Sequence, residues 1–174
     1  MPPTSLVEEF TREFTRMKAM ADKAIAQVPP GALFATLDAE SNSVAVIMKH
    51  LAGNLRSRWT EVLISDGEKP DRHRDREFDV EAADNAEAIL SRWETGWRCL
   101  LQALASLTPA DLDRPIRIKG EPVALLRATV MALSHTGQHV GQIVFLAKHL
   151  AGERWQTLSL PRAKPQGTGT ARQG

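Results

Sequence analysis

The sequence predicts an all-α protein that folds as a bundle of four helices. Four long stretches carry apolar residues at spacings of three and four, and clusters of glycine and proline separate these stretches. The chain has 174 residues, of which 43% are hydrophobic, so it suits one domain with a core of its own. Amphipathic helices of this length bury their apolar faces against one another, which favours a bundle.

The first two predicted helices cover the N-terminal third of the chain. The first runs from about Ser5 to Val28, and Pro29-Pro30-Gly31 ends it. The second begins near Ser41-Asn42-Ser43, whose side chains suit an N-cap, and is expected to continue to about Ser65.

The third and fourth predicted helices follow a charged connection. The third runs from Asp84 to about Leu107, with Trp93 and Trp97 on its apolar side. The fourth is expected to start after Gly120, with Pro122 in its first turn, and to reach Leu150 before Gly152.

The connections differ in character. Residues 66–77 hold four basic and five acidic side chains, which predicts a solvated loop, and Ile116-Arg117-Ile118 predicts a short extended segment. The bundle domain is assigned to residues 1–160, with Trp155, Leu158 and Leu160 folding back onto it. The proline- and glycine-rich residues 161–174 are expected to form a disordered C-terminal tail.

The charge and the cysteine content of the chain limit the functions and compartments to be expected. The formal net charge of +1 removes the usual argument for a nucleic-acid or acidic-membrane partner, so neither is expected. The single cysteine, Cys99, cannot form an internal disulfide, which fits a reducing compartment. With no signal-peptide pattern at the N-terminus and no long apolar run, we expect a cytoplasmic protein.

The pair His135 and His139 is the most informative spacing in the chain. Residues four apart on a helix are separated by about 40° around its axis, so both imidazoles project from one face. One divalent metal ion can then bind both of them. His50, beside the apolar stripe of the second helix, is a candidate third ligand. Hydrogen bonds between facing helices are the alternative explanation for all three histidines.

Other polar residues are candidates for a supporting role. Asn54 and Gln142 lie one and two turns beyond the histidines and are expected to face the same cavity, where they orient a ligand or satisfy the opposite helix. Arg56 and Arg58 suit an anionic substrate, or pair with nearby acids on the surface.

The segments MKHLAGN and HTGQHVGQIVFLAKHL, together with NLRSRW, DGEKPDR and WQTLSLPR, resemble the DinB/YfiT-like superfamily, in a branch of unassigned activity. The resemblance covers roughly residues 5–160. It implies an up-down-down-up four-helix bundle, commonly a homodimer, in which His50, His135 and His139 hold one divalent metal.

The resemblance also suggests what such a centre does. The ion implied is Zn²⁺ or Ni²⁺, with Fe²⁺ or Mn²⁺ as alternatives, and characterised relatives use bacillithiol or mycothiol. A metal-dependent S-transferase acting with a low-molecular-weight thiol, or a hydrolase, is therefore the leading hypothesis. A non-enzymatic module that binds a metal or small molecule, and a purely structural bundle, are the competing ones.

Overall fold

The computed structural model describes residues 4–29 and 31–159 and is mostly helical. Its four long helices are α1 (Leu6–Ile25), α2 (Val44–Trp59), α3 (Ala86–Ser106) and α4 (Leu125–Ala151). A small antiparallel sheet adds β1 (Pro115–Ile118) and β2 (Glu121–Ala124), and short 3-10 turns lie at Arg74–Glu77, Pro109–Asp113 and Gly152–Arg154. The sheet is an addition to the all-α expectation. Leu160 and the predicted tail, residues 161–174, lie outside the described residues.

Side-chain caps fix where the first three helices begin. In α1 the Ser5 hydroxyl accepts the Glu8 N–H at 3.3 Å, while the Glu8 carboxylate accepts the Ser5 N–H at 2.7 Å. Ser43 caps α2 and Asn85 caps α3 by accepting an N–H three residues further on. These starts lie within two residues of the predicted ones.

Helix α2 ends at Trp59, six residues before the expected Ser65. The Thr60 hydroxyl donates to the Arg56 carbonyl at 2.7 Å, and Glu61 takes a positive φ of 51°, which no helix continues. Val62 is nevertheless buried, because the chain turns back onto the core there. The apolar residues at helical spacing therefore continue beyond the end of the helix.

The expectation that α4 starts just after Gly120, with Pro122 in its first turn, is wrong. Pro122 lies in β2 opposite Arg117, and α4 begins at Leu125. Lys119 and Gly120, with φ of 56° and 80°, form the two-residue turn of a β-hairpin. The segment 115–124 therefore pairs with itself before the helix starts, and the predicted extended piece is its first strand.

The core lies between helices that are not all neighbours in sequence. Helix α1 packs against α3 and α4, and α2 packs against the same two. Trp93 and Trp97 of α3 are buried, as predicted, and the side chains of Trp155 and Leu158 pack against the core. Trp59 is buried as well, so neither Trp59 nor Trp93 offers an exposed apolar surface.

Part of the charged loop is buried, so the expectation of a solvated loop is wrong there. The Ser57 hydroxyl of α2 donates to the Gly67 carbonyl at 2.8 Å, and it accepts the Lys69 N–H at 3.0 Å. The Arg72 side chain is only 3% exposed and Glu77 is buried as well. The loop is thus held against α2, beside His50.

Within the part of the chain that the structure describes, no helix has both the length and the apolar character needed to cross a lipid bilayer.

Candidate metal centre

Three imidazoles from two helices converge on one point. His50 projects from α2 toward α4, where His135 and His139 lie one turn apart. The His135 Nε2 atom is 3.3 Å from His50 Nε2 and 3.1 Å from His139 Nε2. One ligand nitrogen from each ring lies within 4.8 Å of the others. The HxxxH spacing and the packing of α2 on α4 together build this cluster.

The tautomer of His50 is set by a buried glutamate. His50 Nδ1 lies 2.9 Å from Glu77 Oε2, and Phe78 packs against the ring at a centroid distance of 4.7 Å. Since an ionised carboxylate only accepts hydrogen bonds, Nδ1 carries the proton. In the neutral imidazole, His50 Nε2 then carries the lone pair, and it faces the other two histidines.

Glu77 is in turn held by Arg72 through two parallel hydrogen bonds. Arg72 Nε donates to Glu77 Oε1 at 2.8 Å and Nη2 donates to Oε2 at 2.9 Å. Burial would raise the pKa of the Glu77 carboxyl, but the hydrogen bonds from His50 and Arg72 outweigh it and bring the pKa below its ordinary value. Glu77 thus stays ionised beside His50.

A glycine makes room for this carboxylate. A Cβ atom added at Gly53, one turn beyond His50 on α2, would lie 2.2 Å from Glu77 Oε1 and 2.8 Å from its Cδ. The Glu77 carboxylate can therefore occupy this position only because residue 53 has no side chain.

Gln142 fixes the second ring in the same way. His139 Nδ1 lies 2.7 Å from Gln142 Oε1, and an amide oxygen is an acceptor, so Nδ1 of His139 is the protonated nitrogen. The Nε2 atom of His139, like that of His50, is left with a lone pair.

The third ring cannot satisfy both neighbours by hydrogen bonding. His135 Nε2 lies between two proton-free Nε2 atoms and has at most one proton to donate, and His135 Nδ1 is buried without a partner among the described residues. Burial, and then the neighbouring histidines, lower the pKa of His135 to about 4. Burial also lowers the pKa of His139. The cluster is therefore short of hydrogens, and His135 and His139 do not take up protons readily.

A divalent cation fits this arrangement. Zinc binds imidazole nitrogen at about 2.0–2.1 Å, and a tetrahedral geometry then separates two ligand nitrogens by about 3.3–3.4 Å. The observed spacings of 3.1 Å and 3.3 Å are close to that value. Neutral imidazoles whose other nitrogen donates to an oxygen are the usual form of a metal-binding histidine.

The remaining predicted residues lie further from the histidine cluster. Asn54 and Arg58 line a cavity beside His135, and Arg58 pairs with Glu68 at 3.1 Å. Arg56 points elsewhere, pairing with Asp71 at 2.9 Å in a position where its side chain is 43% exposed. Cys99 is partly buried.

Glu77, Arg72 and Gly53 are not predicted by the sequence pattern as parts of the site. All three depend on a loop that reads as solvent-exposed because of its charge. One signal was present: Phe78, an aromatic residue next to a run of charged ones, indicates that this end of the loop packs against something.

Comparison with known families finds a match over most of the chain. The model of a family described as "Protein of unknown function (DUF1572)" matches residues 3–164, which include all four helices and every residue of the histidine cluster and its supports. A search of curated proteins finds no match to the chain.

Proposed function

The chain belongs to the DUF1572 family, whose description assigns no chemistry, and we propose from the site itself that this protein binds one divalent metal ion through His50, His135 and His139. We propose further that the ion is the centre of a thiol-transfer or hydrolytic activity.

The observation that carries the proposal is the convergence of three Nε2 atoms, of which those of His50 and His139 carry no proton. Glu77 and Gln142 hold the protons of His50 and His139 on the far side of each ring, at 2.9 Å and 2.7 Å. A purely structural cluster would need mutual hydrogen bonds, and the two short contacts of His135 Nε2 cannot both be hydrogen bonds. A cation satisfies all three nitrogens at once.

Three protein ligands favour a catalytic centre over a structural one, because coordination positions remain open for other groups. A divalent ion in this position supplies Lewis-acid chemistry, which lowers the pKa of a thiol or water that shares it. Nitrogen ligation suits zinc and nickel, with iron and manganese as alternatives. The resemblance to thiol-dependent enzymes supports a low-molecular-weight thiol as the co-substrate.

The protein's own residues prepare the site. Arg72 keeps Glu77 ionised, and the negative charge of Glu77 makes the Nε2 atom of His50 a stronger electron-pair donor toward a cation. Phe78 covers one side of the His50 ring. These contacts orient the ring before any ligand arrives, so little ordering remains to oppose binding.

We propose the DinB/YfiT-like up-down-down-up bundle as the architecture. Parallel packing of α2 and α3 is the distinctive feature of that connectivity, and two contacts support it. Lys49, near the start of α2, pairs with Asp84 just before α3 at 2.7 Å, whereas Thr60 at the end of α2 contacts Cys99 further along α3 at 3.7 Å.

The test is the metal content of tag-free protein, measured by mass spectrometry after incubation with Zn²⁺ or Ni²⁺ and removal of free ion. We expect close to one equivalent in the parent and almost none in His50→Ala or His135→Ala. His149→Ala is the matched control, because this exposed histidine lies on α4 outside the cluster, and it should keep the full equivalent.

A parent protein that holds no metal under these conditions would overturn the proposal, as would full retention in both variants of the cluster. With the metal established, thiol-transfer and hydrolysis assays on the loaded protein would distinguish an enzyme from a binding module.

A further inference from the structure

A cavity of about 230 Å³ lies beside the histidine cluster, in the groove between α2 and α4. On α4, Ala128, Ala132 and His135 follow one another on one face, and the two alanines leave space that larger side chains would fill. On α2, Asn54 lies one turn beyond His50 and lines the same cavity. Because His135 is part of the wall, a molecule in the cavity would touch the candidate metal centre.

The wall of this cavity is mostly apolar. The β-hairpin closes one side with Ile116 and Ile118, which lie two residues apart on β1 and therefore share a face of the strand. An apolar wall stabilises a bound molecule in proportion to the apolar surface that it removes from water. The apolar residues of the wall are Val62, Ile116, Ile118, Ala128, Met131 and Ala132.

The size of the cavity limits what it can hold. An apolar cavity of about 150 Å³ is large enough to bind benzene. The volume of about 230 Å³ found here therefore suits one aromatic ring, or a branched alkyl group of similar size, with a small substituent.

The charge at the cavity is already balanced. Arg58 is the one charged side chain among the described residues that line it, and its Nη2 atom lies 3.1 Å from Glu68 Oε2. Arg58 Nη1 and Trp59 Nε1 are buried, so neither is exposed to a molecule in the cavity. An ion that entered would lose hydration without gaining a free partner of opposite charge. Asn54, whose amide can both donate and accept a hydrogen bond, suits an uncharged polar substituent.

We propose that this cavity binds an uncharged, compact apolar group of the substrate, of the size of one aromatic ring, and places it against His135. The volume sets the size of the group, the wall favours its apolar surface, and the pairing of Arg58 with Glu68 leaves no charge for an ionic ligand to match. That the bound molecule is a substrate rests on the proposed metal centre, but its binding does not.

The test is calorimetric titration of the chelator-treated full chain with three probes of nearly the same shape. At neutral pH benzamide is uncharged, benzoate is an anion and benzamidine is a cation. We expect benzamide to bind at least tenfold more tightly than either ion. Acetamide, which keeps the amide without the ring, should also bind at least tenfold more weakly than benzamide.

Ala132→Leu fills the cavity without changing any charge, so it should weaken benzamide binding at least tenfold. Ala105→Leu is the matched control, because it makes the same substitution at an exposed position of α3, and it should bind benzamide like the parent. Ile118→Ala removes part of the apolar wall from the side of the hairpin and should also weaken benzamide binding.

Three results would overturn the proposal: no benzamide binding by the parent, benzoate or benzamidine binding as tightly as benzamide, or unchanged benzamide binding by a folded Ala132→Leu protein. Circular dichroism checks that this variant folds, and Ile118→Ala decides the matter in the same way if it does not.

The two proposals fail separately. If the parent binds benzamide in this cavity yet takes up no metal, the proposed metal centre fails and the cavity stands. If the parent takes up one equivalent of metal yet binds no benzamide, the metal centre stands and the cavity proposal fails.

Discussion

Glu77 connects the charged loop to the histidine cluster. It lies 27 residues after His50 in the sequence, accepts the Nδ1 proton of that histidine and is held by Arg72. Such partners orient a metal-binding imidazole and raise its basicity. The effect of Glu77 on metal binding should therefore be large, although it is not itself a ligand.

Glu77→Gln is expected to weaken zinc binding by about 10- to 100-fold. The amide oxygen can still accept the His50 proton, but the negative charge is lost and Arg72 loses its ion pair. Competition with a chromophoric chelator measures the affinity. Glu81→Gln is the control, since Glu81 lies on the same loop and pairs with Arg76 and Lys49 instead. Equal affinities for the two variants would show that Glu77 has no such role.

Gly53→Ala tests the same contact from the side of the helix. Because the new Cβ would lie 2.2 Å from Glu77 Oε1, and a glutamate end is free to swing away, the variant should displace the carboxylate from His50 without unfolding α2. We expect zinc affinity to fall while the helix content by circular dichroism stays unchanged. Gly141→Ala, where a Cβ meets nothing within 4 Å, should leave the affinity as it is.

At the scale of elements, α2 and α3 approach each other through a single glycine. A Cβ on Gly96 would lie 2.6 Å from the carbonyl oxygen of Ala52 and 2.7 Å from its Cα. These are backbone atoms, which cannot move without shifting α2 as a whole. His50 is on α2, so the close approach also positions the candidate metal site.

Gly96→Ala should therefore lower the free energy of unfolding by about 1–3 kcal/mol, the usual range for overpacking. Gly141→Ala provides the comparison: with open space around it, alanine should raise the free energy of unfolding by up to about 1 kcal/mol through helix propensity. Urea denaturation of chelator-treated protein measures both. A Gly96→Ala variant as stable as the parent would contradict the close approach.

The elements also show what a sequence can predict. The helices and the HxxxH pair follow from local spacing, because one turn of helix decides which residues share a face. The end of α2 and the hairpin were missed for the opposite reason. The Asp66 carboxylate accepts the N–H groups of Lys119 at 2.9 Å and of Gly120 at 2.6 Å. These contacts join residues more than fifty positions apart, so no periodic pattern in the sequence indicates them.

Glu77, which supports the site, was not predicted from the sequence for the same reason. His50 and the pair on α4 each follow from helical spacing, whereas Glu77 becomes a partner only when the loop folds back onto α2. Charge alone predicts that a loop faces water. Two ion pairs buried together, Arg72 with Glu77 and Lys49 with Asp84, reverse that expectation in this protein.

At the scale of the whole molecule, the cavity and the histidine cluster belong to one connected network. From Arg58 it passes through Glu68 and Arg72 to Glu77 and then to His50. Its two guanidinium groups and two carboxylates balance in charge. A change at either end therefore alters the electrostatic environment of the other.

The same burial that prepares the cluster for a cation should make the metal-free protein sensitive to acid. The pKa of His135 is lowered to about 4, so between pH 6.5 and pH 4 the unfolded chain binds a proton that the folded chain does not. The free energy of unfolding then rises with pH across this window and is lost as pH falls. The lowered pKa of Glu77 extends the loss below pH 4.5, where the unfolded carboxylate takes up its proton first.

Urea denaturation of chelator-treated protein at a series of pH values should therefore show stability falling steadily from pH 6.5 to pH 4. His135→Asn should flatten the slope because it removes the group that resists protonation, whereas His149→Asn, at an exposed position on the same helix, should keep the slope of the parent. A parent profile that is flat over this range would mean that the folded cluster accepts protons as readily as the unfolded chain. The imidazoles would then not be held neutral, and the convergence of lone pairs that favours a cation would lose its physical basis.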